Sequence, residues 1–168
     1  MSVWLQLVNE IKRRSPDQLI TPAQRIARDQ VLNFMRFPQW INLYGKPGSG
    51  KTFIAWALAR AGGAGYLSFP DQLKNITLTQ EALLIDNAPH EEFDVRRILS
   101  SCDLLGASSV VLITRMPITM PMKRVEVPLP SSEDLALIFK SLGLLNYPCR
   151  QSTLPPSPNL WDVLQACV

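Results

Sequence analysis

Apolar positions along this 168-residue chain recur in two rhythms. Val3, Trp4, Leu7, Val8 and Ile11 fall at three- and four-residue spacing and run into Lys12-Arg13-Arg14. That spacing predicts an amphipathic helix over 2–14, with cations at its C-terminal end where the helix dipole favours them. Thr21-Pro22 predicts a cap and first turn for a second helix reaching about Met35, stopped by Phe37-Pro38. Beyond it, short apolar runs alternate with helical periodicity. Strands are expected over Trp40–Tyr44, Gly65–Phe69, Ala82–Asp86, Ser109–Thr114 and Arg124–Val127. Helices are expected over about Gly50–Ala61, Glu92–Cys102 and Ser132–Leu142. Nearly continuous apolar strands separated by amphipathic helices imply an α/β fold, a five-stranded parallel sheet covered on both faces. From Asn146 onward Pro148, Pro155, Pro156 and Pro158 predict a tail that is mostly loop, with a short helix over Leu160–Cys167. No internal repeat breaks the pattern, so one domain over 1–145 and a proline-rich tail over 146–168 are expected.

Composition narrows the class without naming a function. A hydrophobic fraction of 46% and a charged fraction of 18% suit a folded core and exclude a disordered chain. The formal charge of +3 is too small to argue for nucleic acid by itself. Cys102, Cys149 and Cys167 are widely spaced and form no C-x-x-C pair, which fits a reducing compartment. No apolar run approaches the roughly 18–20 residues that span a bilayer. The first basic residues follow the first apolar ones, the reverse of a signal peptide, so a cytoplasmic location without membrane association is expected.

The chemistry begins at residues 45–52. Gly45-Lys46-Pro47-Gly48-Ser49-Gly50-Lys51-Thr52 stands between a predicted strand and a predicted helix and matches the phosphate-binding Walker A pattern at each fixed position. Glycines let backbone N–H groups turn inward around phosphate oxygens, and the helix N-terminus adds its partial positive charge. Lys51 would then reach the β- and γ-phosphates of ATP, and the Thr52 hydroxyl would ligate Mg2+. Asp86 closes the apolar run Ala82–Ile85 as a Walker B carboxylate would, holding the Mg2+ shell from a strand's C-terminal edge. The fold expected is therefore a three-layer P-loop NTPase. A further strand, 65–69, separates the two motifs in sequence, an order that suits AAA+ and RecA-like proteins better than simple nucleotide kinases.

From this point the chain resembles the AAA+ ATPases, and among them the DnaA replication initiator and its Hda-like relatives. The matching stretches are Ile41–Leu58, Gly65-Tyr66-Leu67-Ser68-Phe69, Leu84-Ile85-Asp86-Asn87 and Val111-Leu112-Ile113-Thr114-Arg115-Met116-Pro117. Val127-Pro128-Leu129-Pro130-Ser131-Ser132-Glu133-Asp134 resembles the junction entering the helical lid. The likeness covers roughly residues 22–142. It implies a sensor role for Thr114 toward the γ-phosphate or the attacking water; a β-branched residue ending a buried strand is the alternative.

Departures from the family pattern shape the functional expectation. The acidic residue that usually follows the Walker B aspartate is Asn87 here, and an amide cannot accept a proton at neutral pH. Hydrolysis is expected to be slow, unless Glu91 or Glu92 substitutes. Arg115, Lys123 and Arg124 are the candidates for an arginine finger, each with a solvated loop as the alternative. The lid is expected to be reduced, with Arg150 the only arginine beyond Leu145 and no DNA-binding domain following. His90 and the Arg96-Arg97 pair could touch substrate, a neighbouring subunit or DNA, or simply face solvent.

The reading that results is an ATP- and Mg2+-binding switch in DNA replication or its regulation. Its partner would be a protein of the replication machinery, such as an initiator, clamp or helicase, with DNA contact and self-association as further options. A DNA-associated helicase loader or transposition regulator is the second reading. A small-molecule kinase and a non-hydrolysing scaffold come third.

Overall fold

The computed structural model describes residues 21–77, 80–131, 133, 134 and 137. The helix expected over 2–14, most of the helix expected over 132–142, Cys149, Arg150, Cys167 and the proline-rich tail lie outside them.

Helix α1, Pro22–Phe34, opens on a capping box. The Thr21 backbone N–H donates to Gln24 Oε1 (3.0 Å), and the Gln24 N–H donates to Thr21 Oγ1 (3.2 Å). Two of the N–H groups that a helix start leaves without partners are thereby satisfied. Its buried positions, Gln24, Ala27 and Val31, follow the helical period. Strand β1 (Trp40–Tyr44) leads into helix α2 (Lys51–Gly62), and β2 (Gly65–Leu67) into a 3-10 turn over Pro70–Asn75. Strand β3 (Ala82–Ile85), helix α3 (Glu92–Leu104), β4 (Ser109–Thr114) and β5 (Lys123–Glu126) complete the described elements.

All strand pairs are parallel, in the order β2-β3-β4-β1-β5. Strand β4 therefore lies between the P-loop strand and the Asp86 strand. The period-two alternation of a strand sends successive side chains to opposite faces. Ile41, Leu43, Leu84, Val111 and Ile113 join Val31, Ile54 and Leu58 in one core layer, beneath α1 and α2. Leu83, Ile85, Val110 and Leu112 join Val95, Leu99 and Cys102 in the other, beneath α3. All six residues of β4 are buried, as a strand covered on both faces requires. This is a three-layer α/β fold built on a five-stranded parallel sheet.

Four expected elements shift. Strand β2 stops at Leu67 rather than Phe69, because Leu67 pairs with Ile85, where β3 ends and the chain turns away at Asp86 and Asn87. Asp86 lies just past β3, in a turn formed by Asn87, whose φ of 52° is left-handed. Helix α3 runs on to Leu104 instead of Cys102; Gly106 N–H donates to Asp103 O (3.0 Å) and Ala107 N–H to Cys102 O (3.0 Å), a Schellman closure. Strand β5 starts one residue earlier, at Lys123. Further on, Ser131 and Asp134 cap each other, Asp134 N–H donating to Ser131 Oγ (3.1 Å), where Glu133, Asp134 and Leu137 are helical.

Candidate nucleotide and magnesium site

Parallel strands deliver their C-terminal ends to one edge of the sheet, and ligand sites of open α/β folds form there. Here that edge carries the turns after β1, β3 and β4.

The turn after β1 is the Walker A loop. Gly45 is buried, and a Cβ on it would collide with the carbonyl oxygen of Val127. Gly50 caps α2 with φ +88°, a left-handed conformation, and a Cβ there would strike the Gln24 amide. Only glycine fits both positions. Ser49 is fully buried, and its N–H donates to Lys46 O (3.2 Å), closing the loop, while Lys46 and Pro47 are exposed and Gly48 partly so. The Lys51 ammonium lies across the loop, donating to Gly45 O (2.6 Å) and Lys46 O (2.9 Å). Burial holds its pKa below the ordinary lysine value; the Asp86 charge opposes that shift and the Arg115 charge adds to it.

The turn after β3 brings Asp86, 4% exposed, opposite the first turn of α2. Thr52 Oγ1 donates to Asp86 Oδ2 at 2.6 Å, joining the two metal-ligand candidates across 34 positions of sequence. Tyr66 Oη donates to the same oxygen at 3.0 Å, and the Asn87 N–H donates to Asp86 Oδ1 at 2.8 Å. Burial and the Asp86 charge push the Tyr66 hydroxyl up to about 12, so it stays protonated throughout the physiological range. The side-chain amide of Asn87 is directed away from Asp86, donating to Ser68 O (3.0 Å). Asparagine suits this position for a backbone reason, since it enters the left-handed region more readily than a longer acid.

At the end of β4, Thr114 is 2% exposed and fully engaged. Its Oγ1 accepts from Asn42 Nδ2 (2.8 Å) and donates to Met116 O (2.6 Å). The single hydroxyl proton is thus used inside the turn, and Thr114 could donate to a phosphate only by giving up Met116. Asn42, fully buried in β1, also donates to Leu112 O (3.1 Å) and accepts from the Ile118 N–H (2.9 Å).

Of the finger candidates, Arg115 lies at the site edge, close enough to Lys51 for its charge to act there. Lys123 sits at the other end of the sheet, paired in register with Ile41, with its ammonium 5.7 Å from the centroid of the Phe34 ring. Arg124 is spent on its own loop, donating to Thr119 O (3.2 Å). Arg96 pairs with Glu92 at 2.6 Å and Arg97 with Asp94 at 3.8 Å along one exposed helix. His90 is exposed, and its imidazole lies 3.6 Å from the carboxylate of the neighbouring Glu91.

Two supports have no counterpart in the motif reading. Gln24 Nε2 donates to Ser49 O (2.8 Å), pinning the P-loop to the first turn of α1. Its only signal in the sequence is the Thr-x-x-Gln spacing of a capping box. Tyr66 belongs to β2, and only the fold shows that it reaches Asp86.

A nucleoside triphosphate with Mg2+ fits the donor set. The loop excludes side chains, an ammonium stands over it, and a hydroxyl and a carboxylate meet at its helix end. Among the described residues no group of three or more His, Cys, Asp or Glu is placed to bind a metal unaided. Mg2+ in such sites takes few protein ligands and draws the rest from phosphate and water.

No model of a known protein family matches the chain. A Caenorhabditis elegans protein described as a mitochondrial sorting homolog is 39% identical over 72 residues, 43% of this chain and 19% of that protein. Among solved structures, a DNA replication initiation factor superposes with TM-score 0.56 and 18% identity, over 84% of this chain and 57% of its own. A Cytophaga hutchinsonii protein described as a putative ATPase gives TM-score 0.52 and 16% identity, over 98% of this chain and 62% of its own. The chain thus spans less than two thirds of each of these proteins, and the likeness to the two solved structures shows a shared fold.

Proposed function

We propose that the chain binds ATP with Mg2+ and works as a nucleotide-dependent switch in DNA replication or its regulation, with slow hydrolysis. The observation that carries the reading is the meeting of Thr52 with Asp86 at 2.6 Å beside the glycine-built loop and Lys51. Lys51 and the inward N–H groups at the start of α2 would hold the phosphates. Thr52 and Asp86 would hold Mg2+, which when bound neutralises phosphate charge.

Slow turnover follows from Asn87. Its amide is tied to Ser68 O and is no base, so water at the γ-phosphate would meet no proton acceptor from that position. Bound nucleotide would then persist, as suits a protein read by its ligand state rather than by its rate. The replication setting draws support from the fold shared with the replication initiation factor. The partner would be a protein of that machinery. A DNA-associated loader is the second reading, weakened by the intrahelical pairing of Arg96 and Arg97.

The test is single-turnover ADP formation together with ATP binding, using Lys51→Ala and Asn87→Glu. Tight binding with very slow ADP formation, lost in Lys51→Ala, is expected. Rapid turnover by the wild-type chain would remove the switch reading, and stimulation of that turnover by DNA would favour the loader.

A further inference from the structure

Asp86 is held by more than the two Walker motifs supply. Tyr66, on the edge strand β2, donates its hydroxyl proton to Asp86 Oδ2. A phenol has a single proton, and in Tyr66 it is spent on Asp86. The ring is packed as well: Trp56 meets it edge-on at 6.5 Å between centroids, and Phe53 meets Trp56 at 6.3 Å. Phe53 and Trp56 belong to α2, the helix that starts at Lys51 and carries Thr52 in its first turn.

An ionised carboxylate offers about four lone-pair positions. Thr52 and Tyr66 occupy two on Oδ2, and the Asn87 N–H occupies one on Oδ1. Among the described residues, one acceptor position is left, on Oδ1.

We infer that Tyr66 is a positioning residue for the metal side of this site, its ring held by Trp56 so that Asp86 presents one fixed lone pair to the hydration shell of nucleotide-bound Mg2+. The inference rests on the proposed ATP- and Mg2+-binding reading and deepens it. Partners behind a metal-holding carboxylate commonly govern metal affinity by roughly 10–100-fold. Tyr66 takes that part without touching nucleotide, and the aromatic pair behind it couples the carboxylate to the helix that bears Thr52.

The test measures the affinity of a fluorescent ATP analogue by anisotropy, once with MgCl2 and once with EDTA, for the full chain. Tyr66→Phe keeps the ring and removes the hydroxyl. It should weaken binding with Mg2+ by roughly tenfold and leave binding in EDTA within about twofold of wild type. Trp56→Leu, which removes the ring that meets Tyr66 edge-on, should shift the Mg2+ value roughly threefold in the same direction. A purely structural role would lower both affinities together. Equal Mg2+ enhancement in wild type and Tyr66→Phe, with Lys51→Ala binding neither form, would overturn the role of Tyr66 and leave ATP binding standing. Wild type binding no better than Lys51→Ala would overturn both. Should Tyr66→Phe fail to fold, unchanged Mg2+ enhancement in Trp56→Leu would overturn the inference by itself.

Discussion

Two turns at the same edge of the sheet divide the work of the site and are built in opposite ways. The turn after β1 takes its shape from its own residues. Gly50 takes a left-handed φ of +88°, the Ser49 N–H is bonded to Lys46 O, and Lys51 is bonded to carbonyls five and six residues before it. The turn after β3 takes its shape from elsewhere. Asp86 is bonded to Thr52 and Tyr66, 34 and 20 positions away, and Asn87 to Ser68, 19 away. A self-contained turn can be written as a motif; a turn assembled from distant partners cannot. The phosphate half of the site is local chemistry, and the metal half is a product of the fold.

The sharpest way to break that contrast is to place a methyl group in the first turn. Gly50→Ala combines a left-handed φ of +88° with a collision against Gln24. It should cost on the order of 3 kcal/mol of stability, read by urea denaturation. A loss under about 1 kcal/mol would show that the loop can rebuild, and that its glycines are less binding than the geometry implies.

Next in size is a distant support of the first turn. Gln24→Ala removes half of a capping box and strands the buried Ser49 carbonyl. A loss of about 2 kcal/mol is expected. A neutral result would make the P-loop wholly self-contained, sharpening the contrast.

In the second turn, Asn87 separates backbone from side chain. Asn87→Gly keeps the left-handed conformation and should stay within about 0.5 kcal/mol of wild type, whereas Asn87→Ala should lose about 1 kcal/mol. If both lose equally, the bond to Ser68 O and not the backbone governs this turn.

These expectations show what the sequence made legible. Parallel strands buried on both faces are plain apolar runs, so Trp40–Tyr44 and Ser109–Thr114 were readable residue for residue. The P-loop was readable for the same local reason. Tyr66 was readable as a strand residue but not as a partner of Asp86, since nothing nearby in sequence marks a hydroxyl that is spent 20 positions away. Asn87 reads as a missing acid until its φ is known. Gln24 left a trace as the fourth residue of a capping box, but its second bond, to Ser49, depends on how α1 crosses the loop. Lys123 and Arg124 looked equivalent to Arg115 because a run of basic residues does not reveal which end of a parallel strand it occupies.

The smallest expected effect lies beneath the second turn. Cys102 is fully buried in the layer under α3, and burial pushes its thiol up to about 12. It should therefore resist iodoacetamide at neutral pH in the wild-type chain and remain resistant in Asn87→Ala, read by peptide mass mapping. Alkylation in that variant alone would show that the turn and the layer below it loosen together.

The account stands or falls on nucleotide binding. Calorimetric titration of ATP in the presence of Mg2+ into the wild-type chain and into Lys51→Ala tests it most directly. Removing a charged donor to phosphate should weaken affinity by on the order of 10–100-fold. Saturable wild-type binding that Lys51→Ala loses to this extent is the predicted result. Equal affinities, or no heat from either chain, would contradict the account and reduce residues 45–52 to a structural turn.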